Sequence, residues 1–249
     1  MKKPSGIYVE EPPIIYSERV SIIEPTECQP VLIICPHQEQ YIGLMAEEIA
    51  KKLECYAVIN RGWERDCKDV DFLKDKANCN SISHLYNDVV REEFLDPIFD
   101  FCHKIRKAQF INIYIFIVHG FVLTPPGQTD PEIVLGFGSG AKKLTCERWR
   151  KDAFAYALQT EGISVANGKA KGKYAGASKD NLNQLFKLDT PDWNVDNSIH
   201  SLQLEIDKSW RENAEDASFC ADAISKAIET LVELGDEGFD KQLNLPEYG

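Results

Sequence analysis

Short apolar segments alternate with amphipathic segments along most of the chain. The apolar runs predict strands at residues 31–35, 56–60, 111–120, 132–138 and 199–207. Apolar residues at helical spacing predict helices at residues 43–54, 92–107, 146–162 and 216–235. Strands that alternate with helices are typical of an α/β fold with a mostly parallel sheet and helices on both faces. We therefore expect one α/β domain over residues 1–249.

Two segments lie outside this alternation. Residues 1–30 precede the first predicted strand, and we expect them to form an N-terminal extension packed on the domain. Residues 166–181 combine glycines and small residues with lysines in an otherwise acidic chain, so we predict a mobile basic insertion there. With Tyr174 at its tip it would form a lid that attracts a carboxylate-bearing substrate, or else an exposed loop whose lysines only aid solubility. Its lysines are Lys169, Lys171, Lys173 and Lys179.

Composition and charge limit the class of protein. Hydrophobic residues make up 43% of the 249 residues and charged residues 27%, as in ordinary globular proteins. The net charge of −12 disfavours nucleic acid and anionic membranes as partners. No window approaches the roughly 18 apolar residues of a spanning helix, and the first residues lack the apolar stretch of a signal peptide. The eight cysteines form no C-x-x-C pair, so we expect free thiols and a cytoplasmic protein.

Two histidines stand at the ends of predicted buried strands. His37 follows the strand at 31–35, and His119 lies at the end of the strand at 111–120. Ligands of parallel sheets bind outside the carboxyl ends of the strands, and catalytic zinc takes three protein ligands, often imidazoles. With Glu39 as the nearest carboxylate, the pattern predicts a zinc site of His37, Glu39 and His119. The alternatives are histidines that bond only to backbone groups and a solvated Glu39.

A carboxylate in the last predicted strand suggests a catalytic role. Alternation along residues 199–207 places Ser201, Gln203 and Glu205 on one face and apolar residues on the other. A buried Glu205 needs a partner because an unpaired buried carboxylate is costly. A water activated by the metal would be such a partner, and Glu205 could carry its proton to a leaving nitrogen. The alternative is an edge strand whose outer face is wet.

Together these segments resemble a known family. "PHQEQYIGLMAEEIA", "IVHG" and "HSLQLEID" followed by "WR" are similar to motifs of the N-formylglutamate amidohydrolase-like proteins, over residues 31–232. That family lies within the zinc carboxypeptidase-like superfamily, which includes phage polyglutamate hydrolases. The resemblance implies a three-layer α/β/α fold with a mixed sheet, one zinc ion, and hydrolysis of an amide next to a carboxylate. His37 and His119 match its zinc histidines, and Glu205 matches its general base and acid.

The resemblance also implies a substrate site and shows one departure. Residues 59–80 resemble the stretch that carries substrate-binding arginine and asparagine, which makes Arg61, Arg65 and Asn80 candidates, with Arg211 as a further one. Arginine suits this role because its planar fork binds a carboxylate through two hydrogen bonds. Relatives usually have glycines after the first histidine and a ligand glutamate further on, whereas this chain has "QEQY" there.

These observations favour a zinc-dependent hydrolase of small or short-peptide substrates with a carboxylate. One alternative is a binding protein on the same fold whose metal site is degraded, which the "QEQY" substitution favours. Another is a metal-free hydrolase that uses Cys35, although a cysteine and histidine so close in sequence rarely have the geometry of a nucleophile and its base.

Overall fold

The computed structural model describes residues 14–16, 19–122, 131–138, 143–168, 174–190, 194 and 196–235. Within them, the strands form one mixed sheet in the order β1-β2-β4-β3-β5-β8-β6-β7. The strands are β1 (Ile14–Tyr16), β2 (Val20–Ile23), β3 (Val31–Cys35), β4 (Tyr56–Asn60), β5 (Ile113–Phe121), β6 (Ile133–Gly136), β7 (Val165–Asn167) and β8 (Ile199–Asp207).

Helices cover both faces of this sheet. They are α1 (Ile42–Lys52), α2 (Ile82–Leu85), α3 (Asp88–Val90), α4 (Asp96–Lys107), α5 (Arg148–Thr160) and α6 (Ala214–Leu234). A π-helical turn, Arg91–Leu95, leads into α4, and 3-10 turns form at Phe72–Lys74, Leu182–Phe186 and Lys208–Arg211. No helix in the described part of the chain has the length and apolar character needed to cross a membrane.

Side-chain alternation along the central strands builds two hydrophobic cores. On one face, Ile33, Phe116 and Leu204 pack with apolar residues of α1, α5 and α6. On the other face, Ile34 and Ile115 pack with apolar residues of α4 and the turn before it. The central strands are rich in isoleucine and valine because both of their faces are covered. The predicted three-layer α/β/α architecture is confirmed.

Four adjacent strands, β4, β3, β5 and β8, run parallel, and this sets the location of the site. β5 and β8 stay in register over their whole length, so that His119 pairs with Glu205. β3 pairs with β5 only as far as Ile34 and Ile117, which leaves the end of β5 open on that side. The carboxyl ends of β3, β5 and β8 therefore meet at one edge of the sheet.

The predicted strands and helices are all present, with ends shifted by a few residues. The structure differs from the sequence prediction in the burial of β8 and in additional short elements. β8 is buried along its whole length between β5 and β6, so the alternative of a wet edge strand is wrong. The predicted N-terminal extension contributes β1 and β2, which pair antiparallel at one end of the sheet. The pattern predicted none of β1, β2, β7, α2 and α3.

A buried arginine ties the ends of β5 and β8 together. Arg211 donates from Nη2 to the carbonyl oxygen of Phe121 at 2.9 Å and from Nε to that of Ile206 at 3.3 Å. Its guanidinium lies against Gly120, where a Cβ atom would come within 2.6 Å of it. Glycine at position 120 makes this close approach possible. Arg211 thus binds carbonyl groups at the ends of β5 and β8.

Replacing Arg211 should therefore weaken the fold. We expect Arg211→Met to lower the free energy of unfolding by about 1–3 kcal/mol, because two buried carbonyl groups lose their donor. Urea denaturation measures this change. Lys208→Met is the matched control, since Lys208 is exposed in the same 3-10 turn. Equal stability of the two variants would contradict the structural role of Arg211.

Candidate functional site

Two buried imidazoles face each other where β3 and β5 end. His37 lies two residues beyond β3, and His119 is near the end of β5, the adjacent strand. Their Nδ1 atoms are 3.1 Å apart and their ring centroids 4.9 Å apart. Both side chains are almost completely buried. The structure thus brings together the two histidines that the sequence pattern selected.

Asn78 fixes the orientation of His37. His37 Nε2 lies 3.1 Å from Asn78 Oδ1, which also accepts the backbone N–H of Asn80 at 3.0 Å. Because Oδ1 is an acceptor, Nε2 of the ring carries the proton and Nδ1 presents a lone pair towards His119. A hydrogen bond from the second ring nitrogen is the usual way in which proteins orient a metal-binding histidine. The sequence analysis chose Asn80 in this stretch and missed Asn78, whose role depends on the course of the loop.

Burial keeps both imidazoles neutral at neutral pH. It lowers the pKa of His37 to about 4, with a smaller contribution in the same direction from the charge of Arg65. The pKa of His119 falls well below its usual value, first through burial and then through His37 and Arg65. His119 Nε2 is buried and has no hydrogen-bond partner among the described residues. Neutral imidazole is the form that binds metal ions.

Glu39 completes a cluster of potential metal ligands. One ligand atom from each of His37, Glu39 and His119 can be chosen so that all three lie within 4.8 Å of one another. One carboxylate oxygen of Glu39 accepts from Arg65 Nη1 at 2.8 Å, and the other accepts the backbone N–H of Gly120. Its backbone carbonyl accepts the N–H of Ile42 at the start of α1. Glu39 is therefore held over the open side of β5.

The turn that carries Glu39 is made without glycine. Tyr41, directly before α1, has φ of 59°, in the left-handed region that favours glycine. In the "QEQY" segment, tyrosine therefore adopts a backbone conformation that glycine would adopt at lower cost. Tyr41 packs against the core formed with α1, α5 and α6, and this packing offsets the cost of its conformation.

The donor set and its spacing fit a divalent metal ion. Two nitrogen ligands of a tetrahedral zinc ion, with bonds of about 2.0–2.1 Å, lie roughly 3.3 Å apart. The two Nδ1 atoms here are 3.1 Å apart, and the free lone pair of His37 points into the gap. Two imidazoles and one glutamate are a known ligand set of catalytic zinc. The residue types and spacing of His37, Glu39 and His119 thus fit a metal ion.

Glu205 lies beside this cluster as a buried carboxyl group. It pairs in register with His119 and accepts from Gln203 Nε2 at 2.6 Å. Asn181 Nδ2 in turn donates to Gln203 Oε1 at 3.1 Å, which orients the amide of Gln203 towards Glu205. Burial and the charge of Glu39 raise the pKa of Glu205 to about 8, although Gln203, Arg65 and Arg211 act against the shift. Gln203 and Asn181 were not identified from the sequence.

The remaining predicted substrate residues are distributed differently. Arg65 borders a cleft of about 420 Å³. The cleft is lined by His37, Gln38, Glu39, Trp63, Glu64, Arg65 and Asp66. Arg61 instead binds Glu47 of α1 and donates to Ser21 Oγ of β2 at 3.0 Å. Asn80 has a buried Oδ1 atom without a partner among the described residues.

The described part of the predicted lid reaches the same area. The ring of Tyr174 packs against Phe121 at the end of β5, with centroids 5.3 Å apart. Burial and the charge of Glu205 raise the pKa of Tyr174. Lys179 is exposed, and Lys169, Lys171 and Lys173 lie outside the described residues. That residues 166–181 form a lid stays a prediction.

Cys35 is unsuited to act as a nucleophile. It is completely buried, and its thiol donates to the backbone carbonyl of His37 at 3.2 Å instead of to the ring. Burial raises its pKa to about 12. Since the thiolate is the nucleophilic form, this geometry speaks against the metal-free cysteine mechanism.

Solved structures share this fold. A gene product of Agrobacterium tumefaciens is 12% identical with a TM-score of 0.59, and the match covers 87% of this chain and 96% of that chain. N-formylglutamate amidohydrolase from Ralstonia eutropha JMP134 is 15% identical with a TM-score of 0.57, over 88% of this chain and 99% of that chain. No family model and no curated protein matches the chain. The family resemblance seen in the sequence thus extends to the fold.

The raised pKa of Glu205 predicts how the stability of the metal-free protein depends on pH. The folded state keeps a proton up to a pH of about 8, whereas the unfolded chain loses it near 4.5. Stability therefore falls as pH rises through this range, by at most about 1.4 kcal/mol per pH unit. The lowered pKa values of the two histidines act in the opposite direction, but only below their ordinary value of 6.5.

Between pH 6.5 and 8 the contribution of Glu205 should stand apart. In the presence of a metal chelator, we expect the free energy of unfolding of the wild-type protein to fall by about 1–2 kcal/mol as pH rises from 6.5 to 8. Glu205→Gln should lose much less, since the amide does not titrate. Denaturant titrations at several pH values measure both slopes. Identical slopes would show that Glu205 does not hold its proton in the folded state.

Proposed function

We propose that this protein is a zinc-dependent hydrolase that cleaves an amide bond next to a carboxylate, in an N-acyl amino acid or a short acidic peptide. The observation that carries the proposal is the buried pair of neutral imidazoles, with Nδ1 atoms 3.1 Å apart, beside Glu39 and one strand from the buried Glu205. The named structural neighbour, an N-formylglutamate amidohydrolase, supports the same reaction class.

Each member of the cluster has a separate task in this proposal. Nδ1 of His37, Nδ1 of His119 and the carboxylate of Glu39 would hold the metal ion. When bound, zinc polarises a scissile carbonyl group and makes water more acidic. Asn78 Oδ1 accepts a hydrogen bond from Nε2–H of His37, and this favours the tautomer in which Nδ1 carries no proton. The backbone N–H of Gly120 keeps Glu39 close to the two rings.

Glu205 is the proposed general base and acid. A carboxylate at this position accepts a proton from the attacking water and delivers it to the leaving nitrogen. With a pKa of about 8 in the metal-free protein, Glu205 is mostly protonated at neutral pH. A nearby cation favours the ionised form of a carboxyl group, and the hydrogen bond from Gln203 acts in the same direction. A pKa shifted towards neutrality suits a group that alternates between base and acid.

The charges around the cluster favour an anionic substrate. Without metal, Arg65 neutralises Glu39 while Glu205 is largely uncharged, so these groups together are close to neutral. A divalent ion that ionises Glu205 would leave these groups with a net positive charge of about one, and buried charge requires compensation. A substrate carboxylate supplies it, and Arg65 is the arginine at the cleft that can bind it. Arg61 and Arg211 have other partners.

Metal analysis tests the first part of the proposal. We expect about one zinc ion per chain after equilibration with zinc and removal of the excess, and none in His37→Ala or His119→Ala. His103→Ala is the control, because His103 lies exposed on α4, away from the cluster. Elemental analysis gives the stoichiometry. Wild-type protein that binds no metal would instead support a binding protein on the same fold.

Turnover tests the second part. Glu205→Gln keeps the shape of the side chain and removes the base, so we expect zinc to stay bound while turnover falls by roughly 10²–10⁴. A panel of N-acyl amino acids and short acidic peptides provides the assay. Undiminished turnover in the variant would assign the base to another group.

A further inference from the structure

Both carboxylate oxygens of Glu39 are already occupied. One accepts the N–H of Gly120 and the other accepts from Arg65 at 2.8 Å. Gly120 belongs to β5 and is held in register with β8, so this partner is fixed. Arg65 is 53% exposed and lies in a loop, whereas Glu39 is only 19% exposed. If Glu39 turns an oxygen to a metal ion, the partner that can leave is Arg65.

The guanidinium of Arg65 acts electrostatically on the whole site. Its charge lowers the pKa of His37 and His119, and it also lowers that of Glu205 and Tyr174. Arg65 is thus a cation within electrostatic reach of both histidines as well as in direct contact with Glu39. A metal ion held by Glu39 and the histidines would repel the guanidinium of Arg65, because both carry positive charge.

We propose that Arg65 is an exchangeable counter-ion of Glu39. It neutralises Glu39 in the metal-free protein, is displaced when a metal ion binds, and then binds the carboxylate of the substrate. This inference rests on the proposed function and adds a coupling to it: metal ion and substrate carboxylate each strengthen the binding of the other. Thermodynamic linkage requires the same factor in both directions.

The geometry explains why the coupling goes through this arginine. Before metal binds, the Nη1 group of Arg65 is engaged by Glu39, so an incoming carboxylate must compete with a neighbour from the same chain. After displacement, the planar fork of Arg65 is available for two parallel hydrogen bonds to a carboxylate. Arg61 cannot take over, because it is bound to Glu47 and Ser21.

Calorimetric titration with zinc alone is the first measurement. Arg65→Met removes both the competing ion pair and the repulsion, so we expect it to bind zinc roughly 5- to 50-fold more tightly than the wild type. Lys68→Met is the matched control, since it removes an exposed positive charge from the same loop and should bind zinc as the wild type does. Thermal unfolding of each variant checks that the fold is intact.

The second measurement uses glutarate as a carboxylate that is not cleaved. We expect glutarate to bind the zinc-loaded wild type at least 10-fold more tightly than the zinc-free form, and this ratio should fall to about threefold or less in Arg65→Met. Arg65→Lys keeps the charge without the planar fork and should retain only part of the coupling. Titrations in buffer alone correct for zinc bound by free glutarate.

The outcomes separate the two proposals. If the wild type binds zinc but Arg65→Met binds it equally or more weakly, Arg65 merely orients Glu39 and the exchange is wrong. Coupling to glutarate that persists in Arg65→Met also overturns the exchange, while the metal site stands. A wild type that binds no zinc overturns both proposals.

Discussion

The structure of the site depends on the contact between two buried imidazoles, whose Nδ1 atoms are 3.1 Å apart. This short distance limits how many protons the pair can carry. If neither ring is charged, at most one hydrogen lies between the two Nδ1 atoms. Nδ1 of His37 does not supply it, because the proton of that ring is on Nε2, which donates to Asn78 Oδ1. A second proton is disfavoured, since burial and mutual repulsion lower the pKa of His119. His37 and His119 could both direct an Nδ1 lone pair at a metal ion, which would remove the need for a shared hydrogen. The neighbouring carboxylates and amides can be understood as groups arranged around such an ion.

Parallel strand topology is what makes this pairing possible. β3, β5 and β8 are neighbours that run in one direction, so their last residues meet at one edge without long loops. His119 and Glu205 pair across β5 and β8, and the early end of the β3–β5 pairing opens space for Glu39 on the N–H of Gly120. Arg211 stabilises these strand ends from the opposite face, where glycine at position 120 leaves it room. Position in the sheet thus accounts for the geometry of the site.

Much of this arrangement could be predicted from the sequence. Apolar runs identified the central strands, and His37 and His119 followed because the ends of parallel strands share one edge. Glu205 followed from alternation in a strand that is covered on both faces. Less accessible were contacts that depend on the path of loops. Arg61 and Arg65 are four residues apart in the same polar stretch, yet Arg61 binds Glu47 of α1 and Arg65 binds Glu39.

Asn78 and Asn80 also differ in their contacts because of the path of a loop. The residues are equally polar and only two positions apart, but the fold of the loop gives Asn78 Oδ1 to His37 and leaves Asn80 to donate its backbone N–H. Composition cannot distinguish them. Gln203 could have been suspected, because alternation placed it on the face of Glu205, two residues away. Its role depends on Asn181, which is remote in sequence and orients its amide.

The electrostatics of the site provide the final reason to regard it as one built for a cation. Glu205 would titrate near its usual pKa if its surroundings compensated a negative charge, yet burial and Glu39 raise its pKa to about 8. The histidines are shifted the other way and stay uncharged. Both shifts reduce the ionic charge that the protein must bury. A divalent ion there would reverse the cost of ionising Glu205, because a nearby cation is often the largest charge in such a site. With such an ion Glu205 would be ionised, while the two imidazoles would stay neutral, which is the form that binds metal ions.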